Sequence, residues 1–97
     1  MTKIESIRKI IIKHRRELRR KYHVKEIGIF GSYIHGEQKK KSDIDVLIDF
    51  HEVPGFFKFI ELEDYLSSML GIKTDLVMKD VLKPHIGRQI LSEVIYI

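Results

Sequence analysis

Ser42-Asp43-Ile44-Asp45-Val46-Leu47-Ile48-Asp49-Phe50 is the stretch whose reading decides the fold. Ile44, Val46, Ile48 and Phe50 alternate with Asp43, Asp45, Leu47 and Asp49. A period of two marks a strand with one face turned to a core. The first row is wholly apolar, and the second carries three carboxylates. Side chains at i and i+2 leave a strand from the same face, so Asp43 and Asp45 project together, away from the apolar row. Two carboxylates held ~7 Å apart along a strand repel each other unless a cation lies between them. Hard divalent ions such as magnesium take carboxylate oxygens and keep water or phosphate oxygens as their other ligands. The pair therefore suits a metal held against a triphosphate.

Upstream, Val24 to Phe30 favours a strand that stops at Gly31, and Ser32 follows at once. Ten residues separate Ser32 from Asp43. Glycine lets backbone approach a phosphate closely, and the following amides and the Ser32 hydroxyl can donate to its oxygens. No Gly-Lys-Ser/Thr follows, so this is not a P-loop. Downstream, Asp75 stands between Thr74 and Leu76 inside the apolar stretch Lys73 to Met78, a third strand expected beside the first two. A lone aspartate buried in an apolar strand is disfavoured by propensity and by desolvation. A metal shared with Asp43 and Asp45 would compensate it. With two metals, one activates the attacking oxygen and the other holds the triphosphate and the leaving group. Asp49 shares the carboxylate row but lies farther along, and reads as a solvated residue.

Around this centre the periodicity is helical. Ile4, Ile7, Ile10, Ile11, Leu18 and Tyr22 predict one amphipathic helix from Thr2 to Tyr22, with Thr2 and Glu5 as a capping box. Phe56 to Leu70 predicts a second, ending at Gly71, and its phenylalanines at 56, 57 and 59 are expected in a core or a subunit contact. Asp80 is expected to open a last helix with Pro84 in its first turn. Val94 to Ile97 forms a closing strand or an apolar tail. The element order predicts an α/β (α+β) fold, a small mixed β-sheet of three or four strands flanked by helices. Residues 1–97 are expected to form a single domain.

Composition narrows the class. Hydrophobic residues make up 43% and charged residues 33%, which excludes disorder. The chain has no cysteine, so disulfides, thiolate zinc sites and cysteine nucleophiles are excluded. No signal peptide is recognised at the start and no apolar run approaches a membrane span, so a cytoplasmic protein is expected. The formal net charge is +4, which favours anionic partners. Lys13, Arg15, Arg16, Arg19, Arg20, Lys21 and Lys25 crowd one segment, and Lys39, Lys40 and Lys41 form a short run. Their ordinary role is solvation, with an acidic protein or a nucleic acid as the functional alternative. His14, His23, His51 and His85 lack metal-ligand spacing and are expected at the surface. Tyr33 beside the turn is a candidate for touching a ribose or for being a modification site.

Gly31-Ser32-Tyr33, Gly36, Ser42-Asp43-Ile44-Asp45-Val46-Leu47-Ile48 and Thr74-Asp75-Leu76-Val77 together resemble the minimal nucleotidyltransferases of the DNA polymerase β superfamily. The likeness extends to Leu82-Lys83-Pro84 and Ile90-Leu91-Ser92-Glu93. It implies a polymerase-β-like nucleotidyltransferase fold, two Mg2+ ions on Asp43, Asp45 and Asp75, and a triphosphate on Gly31 and Ser32. It also implies transfer of AMP from ATP to a tyrosine of a HEPN-type toxin, the chain acting as antitoxin. One position departs from the family pattern. His35 stands where these proteins usually carry arginine, and imidazole is only partly charged at neutral pH. The chain is too short for a separate acceptor domain, so a partner protein is expected to complete the acceptor site. Two other readings stay open: a non-catalytic antitoxin acting by complex formation, and a nucleic-acid-binding module resting on the basic helix alone.

Overall fold

The computed structural model of the chain describes residues 3–39 and 42–97. In chain order its elements are α1 (Lys3–Lys13), α2 (Arg15–Tyr22), β1 (Val24–Phe30), α3 (Ser32–His35), β2 (Ile44–Phe50) and α4 (Phe56–Leu70). There follow β3 (Thr74–Met78), a 3-10 turn (Lys79–Val81), α5 (Pro84–Glu93) and β4 (Ile95–Tyr96). The strands form one sheet in the order β3-β2-β1-β4. β1 runs antiparallel to β2 and β4, and β2 runs parallel to β3. This is the mixed α/β sheet that the alternation and element order predict.

The apolar row of β2 faces the helices. Ile44 and Val46 are 0% exposed, packed with Ile7 and Ile11 of α1, Leu18 and Tyr22 of α2, and Leu62, Leu66 and Leu70 of α4. Burying that stripe from each helix is what holds the layer on the sheet. The other row is not uniformly polar. Leu47 is 1% exposed although it lies outside this core. It pairs with Gly28, whose other neighbour is Tyr96 of β4. A Cβ on Gly28 would sit 2.6 Å from Cγ2 of Val94. The segment before β4 therefore crosses this part of the second face, and the missing side chain at Gly28 gives it room.

Several expectations are corrected here. The first helix is two helices, broken at His14, whose φ of −102° and ψ of 10° leave the helical range. Its amide is shared between the carbonyls of Ile10 (3.3 Å) and Ile11 (3.1 Å), and its ring Nδ1 lies 2.9 Å from the Ile10 oxygen. That ring also meets Tyr65 edge-on at 6.3 Å, so His14 is half-buried rather than a surface residue. His23, His51 and His85 are exposed as expected. Asp80 lies in the 3-10 turn, and the last helix begins at Pro84. Phe59 packs on Phe50 with ring centroids 6.5 Å apart, but Phe56 and Phe57 are 72% and 83% exposed and belong to no core. Gly71 ends α4 in the left-handed conformation, φ 67°, as its sequence position predicts. The capping role of Thr2 and the lysines at 40 and 41 lie outside the described residues. Among the described residues no helix is long and apolar enough to cross a membrane.

Candidate active site

β1 delivers the chain to Gly31 at the sheet end where β2 and β3 begin. Gly31 has φ 79° and ψ −148°, a conformation that side chains resist. Space demands glycine as well. A Cβ there would collide with Oδ2 of Asp45 and sit 3.1 Å from its Cγ. The Gly31 carbonyl then accepts the amide of Ile34 at 3.0 Å, winding the four residues of α3 with Ser32 first. The turn and the Asp45 carboxylate are thus in direct contact.

The strand register supplies the rest. Asp45 pairs with Phe30 on β1 and with Asp75 on β3. Directly paired residues share a face of the sheet, so the two carboxylates stand side by side with a buried phenylalanine closing the row. Asp43 precedes β2 and is exposed, while Asp45 is half-buried. Burial pushes the Asp45 carboxyl above the usual aspartate range, and the charges of Asp75 and then Asp43 push it the same way. Asp45 is therefore the member that feels the charge of both neighbouring aspartates. Asp75 is exposed, which corrects the expectation of a buried acid: β3 is an edge strand, and its solvent-facing side chain avoids the desolvation cost. Among the described residues, no group of three or more His, Cys, Asp or Glu side chains stands close enough to hold a metal ion. The backbone sets Asp45 and Asp75 at one level; the side chains as they lie do not form a closed ligand set.

Two residues that the sequence reading did not single out position Asp75. Thr74 donates its amide to Oγ of Ser67 (2.9 Å), and Leu76 donates its amide to Oε2 of Glu63 (3.0 Å). Both acceptors stand on α4, so the outward amides on either side of Asp75 are satisfied and β3 is fastened to the helix layer. A helix spacing of four between Glu63 and Ser67 was visible, but its meeting with a sheet edge was not.

Tyr33 lines a cavity beside Asp43. Its ring is buried and its hydroxyl donates to the Ser42 carbonyl at 3.4 Å, tying the turn to the start of β2. Ser42 closes the loop further, its Oγ accepting the Lys39 amide at 2.8 Å. His35, at the end of α3, places Nε2 3.2 Å from Oε2 of Glu93 on α5. A cavity of about 540 Å³ opens beside Asp43, with Lys3, Lys39 and Lys73 in its walls, but Gly31, Ser32, Asp45 and Asp75 do not line it. The cavity thus reaches Asp43 but stops short of the Asp45–Asp75 pair.

A glycine-serine turn pressed against paired aspartates, at one end of a small mixed sheet, defines a nucleotidyl-transferring domain. The chain belongs to the nucleotidyltransferase domain family, which matches residues 11–97; it is a nucleotidyltransferase. It is 50% identical, over all of its length and 98% of the relative's, to the protein adenylyltransferase MntA of Thermococcus cleftensis. Its fold matches one chain of a toxin–antitoxin crystal structure with AMP-PNP, at TM-score 0.74 and 28% identity, covering 91% of this chain and 69% of that one. It matches a candidate minimal nucleotidyltransferase with TM-score 0.74 and 26% identity, over 98% of this chain and 95% of the other.

Proposed function

We propose that this single domain is a metal-dependent protein adenylyltransferase that moves AMP from ATP to a tyrosine hydroxyl of a HEPN-type toxin, and so acts as its antitoxin. The observation that carries the reading is the side-by-side pairing of Asp45 and Asp75 against the Gly31-Ser32 turn. The 50% identity to a protein adenylyltransferase supports the protein acceptor, and the likeness to a toxin–antitoxin chain solved with AMP-PNP supports an adenine nucleotide and the antitoxin role.

Asp43, Asp45 and Asp75 fit Mg2+ by donor chemistry. All are hard oxygen ligands, and the upward push on Asp45 from two neighbouring carboxylates is the unfavourable charge a cation relieves. When bound, two such ions supply charge neutralisation at the phosphates and a more acidic acceptor hydroxyl. The chain's own groups do the rest. The Ser32 hydroxyl and the amides entering α3 donate to the triphosphate, and Gly31 lets the phosphate lie against the backbone. Asp75, open at the sheet edge, takes the proton from the acceptor hydroxyl. The new bond joins that oxygen to the α-phosphorus, the α–β phosphoanhydride bond breaks, and pyrophosphate carries away the displaced charge.

The test is transfer of label from α-labelled ATP, in magnesium, to the product of the adjacent gene supplied as acceptor. Label is expected on the partner with wild-type protein and lost in the Asp43→Ala, Asp45→Ala double variant; persistence of label in that variant refutes the reading. A second reading, inhibition by binding alone, is favoured by the absence of a closed three-ligand group among the described residues. Rescue of toxin-expressing cells by the same double variant would establish it.

A further inference from the structure

The cavity beside Asp43 is walled by cations. Lys3, Lys39 and Lys73 line its space of about 540 Å³, and Asp43 is the one carboxylate among its walls. A concavity of that size is on the scale of a small-molecule site. Two of the lysines are fixed by backbone on either side of Asp43. The Ser42 amide donates to the Lys39 carbonyl at 3.0 Å, and the Lys39 amide donates to Oγ of Ser42 at 2.8 Å. The Ile44 amide donates to the Lys73 carbonyl at 2.9 Å. Both chain neighbours of Asp43 are thus bonded to the main chain of a lysine.

The strand register brings Lys73 to the acidic row. Ile44 pairs with Thr74, and Asp45 with Asp75, on the parallel strands. Asp43 and Lys73 each stand one position before the first of these rungs and two before the second. Alternation therefore returns both to the side of the sheet that carries Asp45 and Asp75. Lys39 and Lys73 are exposed, and among the described residues neither forms an ion pair with a carboxylate. An ammonium held near an aspartate without closing on it keeps its charge for a ligand, and lysine binds phosphate as a point charge. Of the three aspartates only Asp43 lines the cavity, so an anion that fills it meets the acidic row there.

We propose that Lys39 and Lys73, with Lys3 as a third cation in the wall, receive the terminal phosphates of the donor nucleotide in this cavity and hold them as pyrophosphate leaves. This rests on the transfer reading and adds the residues that take the leaving group. The glycine-serine turn and the aspartate row keep the α-phosphorus, while the β- and γ-phosphates pass Asp43 into the cavity. As the acceptor oxygen bonds to the α-phosphorus, the electron pair of the broken α–β bond goes to the bridging oxygen of pyrophosphate. The ammonium groups meet that added charge and favour its departure.

Lys39→Ala and Lys73→Ala test it, with pyrophosphate, ATP and AMP as calorimetric probes in magnesium. Both side chains are exposed and the bonds that fix these residues are made by their main chain, so the variants are expected to melt with the wild type. Each is expected to bind pyrophosphate and ATP about tenfold more weakly, the scale of one hydrogen bond to a charged group. Affinity for AMP, which lacks the terminal phosphates, is expected to hold. Unchanged affinity for pyrophosphate and ATP in both variants would overturn the proposal. So would an equal loss for AMP, because the cavity would then hold the nucleoside end. Weaker pyrophosphate binding with ATP unaffected would overturn it too, giving the cavity to an anion unrelated to the donor. If wild-type protein transfers no label but both probes show the lysine dependence, the phosphate site stands and the transfer reading fails.

Discussion

Along β2, neighbouring residues live in opposite worlds. Val46 and Ile48 are sealed under three helices, while Asp45, between Ile44 and Val46, stands half-open in a row with Asp75. One face is built for density, the other for charge. The first stabilises through apolar burial and tolerates no void; the second gathers like charges that folding alone would disperse. The comparison teaches that the site draws on stability the other face provides.

The sharpest way to break that contrast is Asp45→Asn. Transfer is expected to fall by at least about 10²–10³-fold, the scale for losing one group that manages charge in a transition state, while the melting temperature rises. The sign follows from the raised carboxyl of Asp45. The folded protein holds that proton more readily than the unfolded chain, so its contribution is fully present below the ordinary aspartate pKa. It is lost as pH rises through the raised value. Wild-type thermal stability is therefore expected to improve on mild acidification in that window relative to Asp45→Asn, as melting curves across acidic pH would show. A fall in melting temperature on substitution at neutral pH would mean that the carboxylate row is not strained.

On the opposite face, Ile48→Ala is expected to cost about 2–5 kcal/mol in chemical denaturation, through lost burial and a cavity. The folded fraction should keep its KM for ATP. Gly31→Ala joins the two faces' logics, because its methyl strikes the Asp45 carboxylate and strains a positive φ. A loss of roughly 1–3 kcal/mol is expected from the backbone, together with weaker ATP binding by calorimetry. Smallest is Glu63→Ala, which leaves the Leu76 amide without its α4 acceptor. About 1 kcal/mol is expected, the worth of one hydrogen bond, rising if the amide finds no water.

Much of this was legible. The alternation through Asp43 to Phe50 gives both the strand and its sidedness, because period two leaves no other register for four apolar residues. Gly31 is likewise readable as a turn, though its contact with Asp45 belongs to the antiparallel register and not to the chain order. What escaped was tertiary. Helical periodicity runs through His14 without a fault, since Ile11 and Leu18 are seven residues apart; the break comes from a ring bonded to the turn behind it and packed on Tyr65. The exposure of Asp75 depends on β3 being an edge strand, and strand order is not written in the residues of β3. The roles of Glu63 and Ser67 depend on that same edge. Leu47 read as the odd apolar member of a polar row, and only the passage of Val94 across Gly28 accounts for it.

The parallel pairing of β2 with β3 carries a consequence for how such a chain can vary. Asp45 and Asp75 are neighbours because two backbones are zipped at matching rungs, and the twenty-nine positions between them take no part in setting that closeness. Turns on either side of α4 can lengthen or shorten without parting the acids. Moving β3 by a single rung, in contrast, would swing Asp75 inward and send its apolar neighbours to solvent. Descendants of this molecule are free to change the count between the two aspartates, and are bound to keep the rung.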